Sequence, residues 1–168
     1  LDCQKNSYNF CNVSFMASTI LIYGRGKVGQ SLARFCDTVK QKYVLCDDTD
    51  APESFDAFKY IVPSPGIPSR HPIYQSGKIK SELDFLFPYL PEDFQVHAVT
   101  GTDGKSTTSW ILYHFLKLGF GDLPVYLGGN FGTPFAEVLM EILSKNELEG
   151  HIVLEASSFM GYHLETFG

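Results

Sequence analysis

Lys105 stands in the part of this chain best suited to chemistry, the unbroken run Thr100, Gly101, Thr102, Asp103, Gly104, Lys105, Ser106 and Thr107. A loop of this composition can wrap its backbone N–H groups around phosphate oxygens. Its lysine can reach the terminal phosphates, and its serine hydroxyl can ligate Mg²⁺. The bland alternative is a solvent turn in which Ser106 and Thr107 cap a helix. The general phosphate loop has a further glycine upstream, at the position that Val99 occupies here. A nucleotide is therefore expected, in an enzyme that departs from the general pattern.

A second glycine run, Gly-Arg-Gly-Lys-Val-Gly, places Gly24, Gly26 and Gly29 in G-x-G-x-x-G spacing, with Asp47 downstream. Glycines so spaced permit a tight turn and close approach of a ligand, and a following helix offers free N–H groups to an anion. Three readings stay open for this run alone: an NAD site, a site for another nucleotide, or glycines needed only for packing. Elsewhere, Glu155 closes the apolar run His-Ile-Val-Leu-Glu, and Asn130 sits in the glycine-rich Leu-Gly-Gly-Asn-Phe-Gly. Their plain readings are a surface carboxylate and a turn residue that tolerates left-handed φ. His71, His97, His114 and His151 are expected to be ordinary polar residues. None of the four cysteines forms a C-x-x-C pair, and Cys36 and Cys46 are expected to be buried small apolar residues.

These residues need elements to hold them. Apolar runs predict strands over 18–24, 42–48, 59–64, 96–101, 124–132 and 151–158. Val28, Leu32, Phe35, Cys36 and Val39 recur at helical spacing, which predicts a helix over 27–41. Further helices are expected over 105–119, with Gly119 in the stop position, and over 134–146, with Pro134 in the first turn. Residues 91–95 read as a linker. The β-α-β pattern occurs twice, so the fold class is α/β, with two parallel sheets. Each glycine run then falls between a strand and a helix. The second unit stops after about three strands, so the chain is expected to be a fragment or a truncated reading frame. Its apolar strands at 96–101 and 151–158 are expected to be left partly uncovered.

The composition is that of a globular protein, 44% hydrophobic and 19% charged over 168 residues. A net charge of −6 argues against nucleic acid as a partner. No apolar run is long enough to span a bilayer. The first residues lack the basic and apolar regions of a secretory signal. They are polar and irregular, so residues 1–16 are expected to be a disordered leader, with Met16 the natural start. A monomer in the cytoplasm is expected.

The run Thr-Gly-Thr-Asp-Gly-Lys-Ser-Thr resembles the Thr-Gly-Thr-x-Gly-Lys-Ser/Thr-Thr loop of the Mur ligase family. Three further stretches carry the resemblance: Pro63–Tyr74 with Ser-Pro-Gly-Ile, Leu127–Pro134 with Gly-Gly-Asn-x-Gly, and Val153–Phe159 with Leu-Glu-x-Ser-Ser-Phe. They span residues 17–165. Ser106, rather than threonine, fits the branch that adds D-glutamate to UDP-N-acetylmuramoyl-L-alanine; a branch adding another amino acid is the alternative, as is a non-catalytic NAD-binding regulatory module.

The resemblance implies a Rossmann-like, UDP-substrate-binding domain over 17–93 and an incomplete P-loop-type, ATP-binding central domain over 94–168. It implies ATP and Mg²⁺ as cofactors. Thr100–Thr107 would bind ATP, with Lys105 and Asn130 catalytic, and Ser106 and Glu155 would hold the metal. Gly24, Gly26, Lys27, Val28, Asp47, Ser64, Gly66, Asn130, Ser157 and Ser158 would bind the UDP-sugar. Two departures stand out. Asp103 replaces the family's asparagine, and a carboxylate there is tolerable beside phosphates only if it faces solvent or a metal. Met160 replaces a glutamine. His163 is a poor substitute for the family's metal-binding histidine, which the resemblance puts further downstream together with a carbamylated lysine and an acceptor-binding domain.

Overall fold

The structure, a computed structural model, describes residues 19–130 and 132–157. The leader over 1–16, Met16, Ser158, Met160 and His163 lie outside the described residues. In the first unit, β1 (Ile20–Tyr23), β2 (Tyr43–Cys46) and β3 (Ile61–Pro63) form a parallel sheet in the order β2-β1-β3. β1 is the middle strand and is buried along its whole length. That is why it reads as an unbroken apolar run rather than an alternation. Helix α1 (Lys27–Val39) connects β1 to β2 and turns Leu32, Phe35 and Cys36 into the core, as the spacing predicts. The thiols of Cys36 and Cys46 are both buried and free, and burial pushes them up to about 12 and about 11.

A short helix, α2 (Glu82–Leu86), follows a turn-rich stretch and has every residue buried. Ser81 caps it: its hydroxyl accepts from the Asp84 amide at 3.0 Å and donates to the Asp84 carboxylate at 2.6 Å.

The second sheet is also parallel and contains β4 (Asp93–Val99), β5 (Val125–Gly129) and β6 (Glu149–Glu155) in the order β4-β6-β5. The expected linker over 91–95 therefore runs into a strand from Asp93 onward. Helix α3 (Lys105–Gly119) joins β4 to β5, and α4 (Phe135–Lys145) joins β5 to β6. Pro134 stands just before α4 in an extended conformation, not inside its first turn. Asn146 closes α4 at φ 54°, a left-handed position that asparagine tolerates better than most residues.

β6 lies between β4 and β5, which pair both of its edges, and helices cover both of its faces. Ile152 and Leu154 face the α4 side, Val153 faces α3, and all three are fully buried. The expected open apolar face on this strand is thus absent. Exposed apolar side chains gather instead on α3, where Phe115 is 68% and Leu118 84% exposed, alongside Trp110 and Ile111.

One hydrophobic cluster runs through both units. Leu32 and Phe35 of α1, Leu86 of α2, and Phe135, Leu139 and Ile142 of α4 all belong to it. Each such fully buried side chain contributes about 1.5–3 kcal/mol of apolar burial. An exposed ion pair between Arg34 and Glu137 joins α1 to α4 at the rim. This packing fixes where the two sets of loops at the strand ends meet.

Candidate functional site

Both glycine runs lie at the carboxyl ends of parallel strands, where ligands of α/β proteins collect. The first links β1 to α1. Gly26 precedes the helix in an extended conformation, and no side chain caps the helix start. Its first N–H groups are therefore open to an anion. Gly29 has a different duty: a Cβ there would collide with the carbonyl oxygen of Gly24. Ser64 is buried against the same loop and donates its hydroxyl to that carbonyl at 3.2 Å. Beside it, Arg25 pairs with Asp47 at 3.1 Å and with Asp50 at 2.5 Å. The guanidinium holds the Asp50 carboxyl down at about 2. The hydroxyl and amide of Thr49 bind Asp47 and keep it below the usual carboxylate range, with Arg25 adding to the effect.

The second run links β4 to α3. Gly104 sits at φ 74°, in the left-handed region that favours glycine, and α3 too starts without a side-chain cap. Lys105 begins the helix and folds back, donating to the carbonyls of Gly101 at 2.8 Å and Thr102 at 3.2 Å. Thr100 through Gly104 are exposed, Asp103 among them, so its carboxylate faces solvent. Ser106 is half-buried and Thr107 exposed.

The sheet brings Asn130 and Glu155 to the same edge. Val99 and Gly129 both pair with Glu155 across the strands, so the loops after β4 and β5 leave the sheet at the level of this carboxylate. The Asn130 amide donates to the Glu155 carbonyl at 2.8 Å, and its side chain donates weakly to Glu155 Oε1 at 3.4 Å. Glu155 is 2% exposed, and its Oε2 is buried without a partner. A buried carboxylate oxygen left open is a poor structural element and a good ligand for a cation. Mg²⁺ takes one or two carboxylates along with waters and nucleotide phosphates, so this donor fits it. No group of three or more His, Cys, Asp or Glu able to hold a metal occurs among the described residues.

A cleft of about 460 Å³ opens between the two units. From the first unit it is lined by Gly24, Gly26, Lys27 and Val28, and by Ser64 and Gly66. From the second it receives Asn130 with Gly129 and Gly132. Lys27 crosses between them, its Nζ donating to the Gly132 carbonyl at 2.8 Å. Asp47 and Ser157 are not among the lining residues, and the phosphate loop at Thr100–Thr107 is also separate from this cleft. Sequence reasoning missed Glu82, which lines the cleft from α2. Its signal was a carboxylate one place after a capping serine, just before the largely apolar segment Leu83–Leu90.

Two strand–loop–helix junctions, each opening a helix at the end of a parallel sheet, define a protein of the Rossmann-like α/β class. No family model matches the chain. Individual proteins do. It is 35% identical over 156 residues to the UDP-N-acetylmuramoylalanine--D-glutamate ligase of Aquifex aeolicus, a match covering 88% of this chain and 35% of that protein. It is 36% identical to the ligase of the same name from Leptospira interrogans, over 77% of this chain and 31% of that protein. The ligase of that name from Elusimicrobium minutum is 40% identical over 60% of this chain. The chain is therefore a relative of the D-glutamate ligases of the Mur family, as its motifs suggest, and it spans about a third of the length of the curated relatives it matches.

Proposed function

We propose that the protein to which this sequence belongs is an ATP-dependent ligase that adds D-glutamate to UDP-N-acetylmuramoyl-L-alanine, in peptidoglycan synthesis in the cytoplasm. The observation that carries this reading is the cleft itself, which joins the first glycine loop to Asn130, the neighbour of Glu155. A substrate with a nucleotide at one end and a reacting carboxylate at the other suits such a path. The open N–H groups before α1, with Lys27, would hold its diphosphate. Residues 17–93 are read as the domain for this substrate and 94–168 as part of the ATP-binding domain.

The amides of Thr100–Thr107 and the Lys105 ammonium would hold the ATP phosphates. In this reading Lys105 leaves the carbonyls of Gly101 and Thr102 when a nucleotide arrives. Glu155 Oε2 and the Ser106 hydroxyl would hold Mg²⁺, which neutralises phosphate charge. Asn130 would hydrogen-bond the substrate near its reacting end. The γ-phosphoryl passes to the alanine carboxylate, and the amine of D-glutamate then displaces phosphate from the acyl phosphate. Positioning and charge neutralisation are the main tasks of the residues named here.

The test is phosphate release by the full-length enzyme with ATP, UDP-N-acetylmuramoyl-L-alanine and each candidate amino acid. Release that depends on D-glutamate is expected. Release with L-alanine, L-lysine or a diamino acid in its place overturns the choice of acceptor, and no release with any of them overturns the ligase reading.

A further inference from the structure

Among the described residues, every polar side chain lining the cleft has a protein partner except one. The Ser64 hydroxyl is bound to Gly24, the Lys27 ammonium to Gly132, and the Asn130 amide to Glu155. Glu82 is 6% exposed, and its Oε1 is buried with no partner. A buried carboxyl oxygen left without a hydrogen bond costs about 1–3 kcal/mol. Such a group persists in a fold when something outside the fold satisfies it. Nothing in α2 demands an acid here, because Ser81 and Asp84 already cap the helix.

We propose that Glu82 is a substrate-contacting residue, accepting a hydrogen bond from a hydroxyl or amide N–H of the group that the nucleoside diphosphate carries. This inference rests on the reading of the cleft as a UDP-sugar site. The charges decide which part of the substrate Glu82 meets. A carboxyl group does not favour phosphate oxygens, and the open helix start and Lys27 offer the diphosphate a better place. Asn130 belongs with the reacting end. A neutral, donor-rich segment between the two, such as an N-acetylated sugar, matches an acceptor on the wall of the same cleft. Burial holds the Glu82 carboxyl up at about 7, so the group can enter the complex without a full charge to desolvate.

The experiment compares UDP with UDP-N-acetylmuramoyl-L-alanine by calorimetric titration of the chain and of two variants. Glu82→Met, which keeps the shape and removes the acceptor, is expected to weaken the UDP-sugar about tenfold and to leave UDP unchanged. Glu82→Gln, which keeps a carbonyl acceptor, is expected to lose less. Equal losses for both nucleotides, or no loss for either, overturn the proposal. A carbon-detected spectrum of the unaltered chain needs no variant. The Glu82 carboxyl resonance should move with the UDP-sugar and stay with UDP; an equal response to both, or none, overturns the assignment. If the unaltered chain binds UDP but not the UDP-sugar, or binds neither, it is the reading of the cleft that falls, and this proposal falls with it.

Discussion

The two glycine loops start from the same local physics and end in different surroundings. Each leaves a parallel strand and opens a long helix that no side chain caps. The first is packed along one side and open to the cleft on the other: Ser64 lies on Gly24, Gly29 has no room for a side chain, and Lys27 reaches the other unit. The second is open, and its lysine has turned back onto its own carbonyls. Free helix N–H groups make both suitable for phosphate. Only the first has walls that could choose what the phosphate is attached to. In the proposed reading, recognition of a particular substrate belongs to the first loop and handling of phosphate charge to the second.

The largest expected effect separates the two loops by function. In the full-length enzyme, Lys105→Ala should lower ligase turnover by about 10²–10³, the usual scale for losing a donor aimed at developing charge. Affinity for the UDP-sugar, measured by titration, should stay the same. Near-normal turnover contradicts the role of the second loop, and a parallel loss of UDP-sugar affinity breaks the separation.

A smaller effect tests the packing difference. Gly29→Ala forces a Cβ onto the Gly24 carbonyl and should cost about 1–3 kcal/mol of stability in urea unfolding, the usual scale for overpacking. Gly104→Ala meets no atom within 4 Å, so it carries only the strain of its left-handed φ, about 1 kcal/mol. If Gly104→Ala proves the more damaging, the second loop is the more tightly held and the comparison is reversed.

A third effect is in pH. Glu82 has its carboxyl raised by burial from 4.5 to about 7 in the folded chain. The folded state then binds the proton more tightly than the unfolded one. Its stabilising contribution is complete below about 4.5 and is lost as pH rises through about 7. The melting temperature should fall across that window, and Glu82→Gln should flatten this part of the slope. An unchanged slope means that the carboxyl is not the buried, unpartnered group described here.

The three long helices were legible because their signals are local, whereas the short α2 was not expected. Val28, Leu32, Phe35, Cys36 and Val39 set α1, and α3 begins and ends at the expected residues, Lys105 and Gly119. Strand ends were off by one to three residues where pairing, not composition, sets the limit. Gly26 and Gly104 were legible as turn glycines, because a tight turn before a helix writes itself into the sequence. The cleft was legible only in parts. That Asn130 would share it with Gly26 depends on α1 and α2 docking against α4 through Phe35, Leu86 and Phe135, residues far apart in the chain. No spacing records that contact. The middle place of β6 was hidden for the same reason, since a buried apolar strand reads alike whichever neighbours it has.

The central claim is that the first loop and Asn130 form one site for a UDP-sugar while the second loop takes ATP. The most direct measurement is an amide chemical-shift titration of the labelled chain with UDP-N-acetylmuramoyl-L-alanine, NAD and magnesium ATP in turn. The account predicts that the UDP-sugar moves Gly26 and Asn130 together, that magnesium ATP moves Gly104 and Ser106, and that NAD moves none of them. Movement of Gly26 with NAD but not with the UDP-sugar would contradict it.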